Sequence, residues 1–319
     1  MKGNKIVVLL SLFVLMFSSC VQKGNNFPRK NIKVICPWAI GGGTDTILRA
    51  ICATAEKELG VAIVVENIIG GGGSVGHRAI KDAKPDGFTL GMITFLLNSL
   101  PYQKVIDFTY EDFDPLLCVN ADSVALTVRS DAPYNTVGEF IHYAKKYPGK
   151  ISIGNSSPGS VWHIGAGLLA NETGIDVKHV AFEGAASAVT SLVSGHISAV
   201  SVSFPEVKHQ VAAGNVKVLG IMSDVPLAEY PSIPTFKEQG FPLTYFTWRG
   251  LAFPKGVDPE IKKIVFEAFT KAMNNPEFIA LANELNMNLF YLNSEDFGEF
   301  LKDNYNSVTK TLTETNLLK

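Results

Sequence analysis

The sequence predicts an α/β protein with two sheets, and three observations carry that expectation. Short β-branched runs alternate with helix-length amphipathic segments, the rhythm of β-α-β units and a parallel sheet. The alternation runs from residue 32 to residue 94 and resumes at residue 124, which two sheets fit better than one. Three glycine-bearing turns each follow a strand and open a helix. The composition, 46% hydrophobic and 18% charged over 319 residues, is that of a globular chain with a sizeable core.

Taken in order, a strand at 32–36 is followed by a helix at 44–59, a strand at 62–66 by a helix at 74–83, and a strand at 88–94 closes the first series. The second series has a strand at 124–128, a helix at 137–147, a strand at 151–154, a helix at 161–172, a strand at 177–182 and a helix at 185–194. Strands at 197–202 and 216–222 complete it. From residue 259 onward the chain reads as mostly helical. Ile261, Ile264, Val265 and Phe269 fall at helical spacing, and so do Phe297, Phe300, Leu301 and Tyr305. No linker or low-complexity segment marks a domain boundary.

Ahead of these elements, Lys2 and Lys5 precede a nearly unbroken apolar run at 6–17. As a helix that run rises about 18 Å, against a hydrocarbon core of roughly 30 Å, so residues 1–19 read as a signal peptide and not as a span. F-S-S-C at its end resembles the lipobox at which bacterial lipoproteins are cleaved and acylated, which makes Cys20 the lipidated N-terminus. An ordinary cleavable signal with an incidental cysteine is the alternative. Residues 20–27 read as a flexible tether.

The whole chain has 28 basic and 30 acidic residues, and loss of Lys2 and Lys5 with the leader leaves 26 against 30, a charge of −4. That excludes a basic coat for nucleic acid. Beyond residue 20 no apolar run approaches the roughly 20 residues that cross a bilayer. Cys36, Cys52 and Cys118 show no C-x-x-C spacing, so they read as buried thiols, with one bridge possible but not expected.

The first glycine turn, P-W-A-I-G-G-G-T-D from Pro37 to Asp45, follows a strand directly. Gly41, Gly42 and Gly43 allow close backbone approach, Thr44 or Asp45 is placed to cap the next helix, and the exposed N–H groups with the helix dipole make an anion site. The second turn runs from Asn67 to Gly76. The third, G-N-S-S-P-G-S from Gly154 to Ser160, adds the hydroxyls of Ser156, Ser157 and Ser160. The first turn lacks G-x-G-x-x-G spacing and no G-K-[ST] occurs, which argues against a nucleotide. No cofactor is expected. The six histidines show neither H-x-x-x-H nor H-E-x-x-H, so no metal site is indicated. The stretch from Gly154 lacks the second glycine of G-x-S-x-G, so there is no nucleophile elbow. His163 could pair with Ser160 three residues earlier, or with Ser156 or Ser157 in a hydrolase; the plainer role is shaping the loop.

Five ordered segments together resemble one family: K-x-I-K-V-I-C-P-W-A-I-G-G-G-T-D ending at Asp45, V-V-E-N ending at Asn67 with G-G-x-x-G after it, A-K-P-D-G-F-T-L from Ala83, P-G-K-I-S-I-G-N-S-S-P-G-S from Pro148, and W-R-G-L-A-F-P-K-G-V-D-P from Trp248. The chain resembles the extracytoplasmic substrate-binding proteins of tripartite tricarboxylate transporters, the Bug family. The resemblance implies a two-lobed periplasmic-binding-protein-like fold of type II, with two chain crossovers and the ligand in the interlobe cleft. Lobe 1 would comprise 28–128 and 250–319, and lobe 2 would comprise 129–249. It implies ligand contacts from Trp38, Ile40, Gly41, Gly42, Gly43, Thr44, Asp45, Thr94, Ser156, Ser157, Gly159, Ser160, His163, Phe182, Gly184, Ala185 and Ser203. The family holds carboxylates mostly through backbone N–H groups and hydroxyls, and none of the five arginines adjoins the first or third turn in sequence. Arg249, in the W-R-G segment near the expected lobe crossover, is the competing anchor, with a solvated or hinge-bracing role as its plainer alternative.

On that resemblance the chain is a monomeric, lipid-anchored, non-enzymatic receptor outside the cytoplasmic membrane, which captures a small carboxylate and delivers it to the permease subunits of a tripartite transporter. Departures from the family pattern bear on the ligand. Ala39 and Ile40 stand where prolines are common, Glu183 replaces a lysine, and Ser198 replaces an aspartate. Glu183 would repel an extra carboxylate or welcome an amine, or it points into solvent. Trp38 could roof the ligand or belong to the lobe core. The alternatives are a ligand-sensing receptor for a signalling kinase and a receptor for an amine-bearing or neutral ligand.

Overall fold

The computed structural model describes residues 27–156, 158–182, 184–227, 230–285 and 287–315. The signal peptide, Cys20, Ser157 and Glu183 lie outside the described residues.

Strand β1 (Ile32–Cys36) pairs in parallel with β2 (Ile63–Asn67) and β3 (Thr89–Thr94), and helices α1 (Gly43–Leu59) and α2 (Ser74–Lys81) make the connections. In β1, Ile32, Val34 and Cys36 face the packed side of α1, whose Ile47, Leu48, Ile51, Cys52 and Ala55 form one apolar stripe. The stripe ends where Gly60 takes the left-handed conformation at φ 68°. After a short α3 (Leu96–Ser99), the chain enters β4 (Phe113–Arg129), a strand of 17 residues shared by both sheets.

The second lobe alternates α4 (Val137–Lys146), β5 (Ile151–Asn155), α5 (Val161–Thr173), β6 (Val177–Ala181), α6 (Ala185–Val193), β7 (Ala199–Ser203), α7 (Phe204–Ala212) and β8 (Val216–Ile221). The chain then returns along β9 (Phe246–Pro254) and finishes with α8 (Pro259–Met273), α9 (Pro276–Glu284), β10 (Leu289–Leu292) and α10 (Ser294–Thr315). From 113 to 123, β4 pairs with β9 and, through Cys118 and Asn120, with β10; from 124 to 129 it pairs with β7 and β8. The fold has two lobes, each sheet combining a parallel core (β2-β1-β3 or β7-β5-β6) with antiparallel crossing strands. The expected parallel pairing is found in those cores, and the crossing strands add antiparallel pairing to it. One hydrophobic core lies between β1, α1 and α8, and the other runs from the opposite face of the first sheet into the second lobe. Cys36, Cys52 and Cys118 are buried free thiols.

Gly250 marks the tightest packing of the crossing strands. A Cβ there would run into the Phe297 ring and stand 2.8 Å from the Leu117 carbonyl oxygen. Gly250→Ala should therefore destabilise the protein by about 1–3 kcal/mol in urea unfolding, through overpacking. Gly138, inside α4, has only ordinary contacts at 3.9 and 4.0 Å. Gly138→Ala should stabilise by about 0.5–1 kcal/mol, giving the opposite sign in the same measurement.

Candidate functional site

The C-terminal ends of β1, β2 and β5 carry the three turns singled out in the sequence, and those of β3, β6 and β7 carry Thr94, Phe182 and Ser203. In open α/β sheets this is where ligands bind. Two surface grooves, ≈ 460 and ≈ 490 Å³, lie around Lys30, Lys33 and Lys84 and around Arg129, Lys150 and His196; the first borders the second turn at Ile68, and neither touches the first or third turn.

The first turn is held from inside by Asp45. Its carboxylate accepts from the Gly41 N–H at 2.9 Å, from Arg49 Nε at 3.0 Å and from Asn67 Nδ2 at 2.8 Å. Burial alone would raise this carboxyl, but the bonds from Arg49, Gly41 and Asn67 together hold it below the usual range. Neither Thr44 nor Asp45 caps α1, contrary to expectation. The N-cap is Gly42, without a side-chain bond, and Asp45 lies within the first turn of the helix, turned inward. Gly41, Gly42 and Gly43 remain exposed, and Ile40 is 77% exposed at the tip. Trp38 is half-buried, against Gly73 of the second turn.

The sequence showed no arginine adjoining this turn, yet the structure brings two to it. Arg49 lies one helical turn along and reaches both Asp45 and, at 2.7 Å, Asn67 Oδ1. Arg249 arrives from β9: its Nε donates to Thr44 Oγ1 at 2.9 Å and its Nη1 to Asp122 Oδ2 at 2.7 Å. Its Nη2 stands 3.7 Å from where a Gly43 Cβ would be. Asn120 and Asp122, alternate residues of β4, share one face and join this set, Asn120 Nδ2 donating to Asp122 Oδ2 at 3.0 Å.

On the facing lobe, Ser160 caps α5 by accepting from the His163 N–H at 3.3 Å, and Ser156 Oγ donates to Ser160 Oγ at 2.8 Å. His163 Nδ1 accepts from the Gly159 N–H at 3.0 Å, so the ring shapes the loop. Gly159, at φ 74°, packs against the Gln103 side chain of the first lobe. Phe182 borders Gly154, Gly184 is the N-cap of α6 with Ala185 its first residue, and Ser203 forms a capping box with Glu206 at the start of α7. Thr94, at the end of β3, donates its N–H to His77 Nε2 at 3.2 Å. Sequence reasoning offered Arg249 only as a competitor to the backbone donors, and it missed Asp122, Asn120, His77, Gln103 and Glu206 as neighbours of these turns. Only Glu206 carried a local signal, the S-x-x-E spacing of a capping box. Among the described residues, no three His, Cys, Asp or Glu side chains gather as a metal site would require.

The model of the tripartite tricarboxylate transporter family receptor matches residues 47–317. The chain belongs to this receptor family. The UPF0065 protein in the gbd 5′ region of Cupriavidus necator is 30% identical over 279 residues, which cover 87% of this chain and 85% of the relative. Among solved structures, a TctC solute binding protein from Polaromonas, without ligand, superposes with a TM-score of 0.80 at 34% identity, over 90% of this chain and 99% of that one. MatC from Rhodopseudomonas palustris, with bound malate, superposes at 0.75 and 24% identity, over 90% and 100%, and supports the fold. In this receptor no helix among the described residues is long and apolar enough to cross a membrane.

Two buried histidines make the turns of this receptor acid-sensitive. Burial lowers His77 to about 4, and burial with the nearby His179 lowers His163 to about 4. Both bind protons less readily folded than unfolded, where a histidine titrates near 6.5, at about 1.4 kcal/mol per pH unit and per group. Their stabilising contribution is whole above about pH 6.5 and declines as pH falls toward 4. Urea midpoints should therefore drop between pH 6.5 and 4.5, and His163→Gln should flatten part of that drop.

Proposed function

We propose that this receptor captures a small carboxylate in the interlobe cleft and delivers it to the membrane permease of a tripartite transporter without making or breaking bonds. The observation that carries the reading is the first turn. The exposed Gly42 and Gly43 backbone opens α1 beside the Nη2 edge of Arg249, whose other nitrogens are committed to Thr44 and Asp122. A carboxylate placed there would meet the helix dipole, backbone donors and a pre-oriented guanidinium edge. The contact set thus gains Arg249 beyond the residues named from the resemblance. Gly159, Ser160, Gly184 and Ser203 would meet the ligand from the second lobe as it closes. The malate bound to MatC supports a carboxylate as the ligand class.

The strand pairing supports lobes of 28–123 with 246–315, and of 124–245. The receptor acts as a monomer outside the cytoplasmic membrane, anchored through an acylated Cys20. Calorimetry with the ligand extracted from the purified protein and identified by mass spectrometry tests the site. Gly43→Val crowds Met287 Cε and the space beside Arg249 Nη2, and Arg249→Lys keeps the charge but loses the fork. Each should weaken binding about 10- to 150-fold, equivalent to one charge-assisted hydrogen bond of about 1.5–3 kcal/mol. Wild-type affinity in Gly43→Val would move the site elsewhere.

The anchor has its own test. A clickable fatty acid should label the wild-type protein and spare Cys20→Ser, since stable attachment needs more than one acyl chain. Equal labelling of both, or of neither, would remove the lipoprotein assignment.

A further inference from the structure

Among the described residues, each acidic group beside these turns has a cation next to it except one. Asp45 is paired with Arg49 at 3.0 Å and Asp122 with Arg249 at 2.7 Å. Glu206, three residues past the end of β7, forms no ion pair among the described residues. Its Oε2 accepts from the Ser203 N–H at 2.7 Å and from Ser203 Oγ at 2.9 Å. No described protein group donates to its Oε1. A glutamate at this helix position is commonly a cap, and Oε2 fills that role; glutamine serves as well there, so capping does not account for the charge.

Glu206 is exposed at the start of α7, and the protein packed around it raises its carboxyl to about 7. Ser203 and the charge of Arg249 oppose the rise, and Asp122 adds to it. Ser203 pairs with Val124, two residues beyond Asp122 on β4, which sets the start of α7 close to the pair formed by β4 and β9. On its own helix, Lys208 lies over the Tyr230 ring at 5.6 Å. Among the described residues the local set is one guanidinium against two carboxylates. A ligand carboxylate on the first turn already engages the free edge of that guanidinium. A second ligand carboxylate directed at α7 would then meet uncompensated negative charge in a closed, water-poor cleft.

We propose that the ligand is a zwitterion: a small carboxylate that also bears an ammonium group, the carboxylate seated on the first turn beside Arg249 and the ammonium received by Glu206. The inference rests on the carboxylate-receptor reading above. Glu183, on which the sequence raised an amine-bearing ligand, lies outside the described residues, and Glu206 carries the argument independently.

Probe pairs of matched length test it by calorimetry on the purified receptor: succinate against 3-aminopropanoate, glutarate against 4-aminobutyrate, and adipate against 5-aminopentanoate. At pH 8 the aminocarboxylate should bind at least tenfold tighter in one or more pairs. Its affinity should fall about tenfold from pH 8 to pH 6 as Glu206 takes up its proton. Glu206→Gln, which keeps the cap and the melting temperature, should erase both the preference and the pH dependence. A dicarboxylate preference at pH 8 in every pair that binds, or an aminocarboxylate preference unchanged in Glu206→Gln, overturns the role of Glu206. Failure of both members of all three pairs overturns instead the carboxylate-receptor reading beneath it.

Discussion

The antiparallel pairing of β4 with β9 is the constraint from which both lobes take their positions. The two crossings of the chain lie side by side, so the lobes share adjacent strands and a common pivot. Along that ladder the register slips between Cys118 and Asn120, an irregularity of the kind that re-aims side chains next to sites. Asn120 and Asp122 then point to one face, and both approach Nη1 of Arg249 from the opposing strand. Arg249 in turn holds Thr44 at the start of α1, which ties the pivot to the first turn. The close approach at Gly250, directly after Arg249, keeps this assembly under tight packing from Phe297.

An acidic residue at a helix N-terminus would ordinarily compete with any anion bound there. Asp45 avoids this by turning inward, where it is 1% exposed and its charge is spent on Arg49, Asn67 and the Gly41 N–H. The turn is thereby organised by a carboxylate that its outer surface does not display. Arg49 itself is exposed, but its loss would leave the buried Asp45 carboxylate without a cation, which is costly, so the two act as a unit. The same reasoning applies to Asp122 and Arg249, 5% and 14% exposed.

Elements with local signatures were legible in the sequence. The strand at Ile32–Cys36 and the helix ending at Leu59 are found as expected, because β-branched residues, an apolar stripe and a closing glycine lie within a few residues of one another. The first half of β4 was not legible: Pro115, Asn120 and Asp122 interrupt its apolar pattern, and its pairing with β9 spans more than a hundred residues. The sequence offered Arg249 as a competing anchor, but its bond to the first turn was hidden for the same reason, since Thr44 and Arg249 are 205 positions apart. Glu206 was hidden differently. Its spacing from Ser203 reads as a helix cap, and only the fold places Arg249 and Asp122 within electrostatic reach.

The division of charge between the lobes bears on how a receptor of this kind would discriminate. The second-lobe turn is held by neutral groups: Ser156, Ser160, the Gly159 N–H and a His163 that stays unprotonated at neutral pH. Arg249 and the first-turn donors all sit on the first lobe, so on the proposed reading a carboxylate would land there before closure. A ligand shifts the open-closed equilibrium only by the difference in its affinity for the two forms. Carboxylates that share the first-lobe contacts would therefore be sorted by what they meet on the second. Because Glu206 is the charged group that α7 brings toward Arg249 and Asp122, the chemistry of the far end of the ligand would decide whether the cleft shuts.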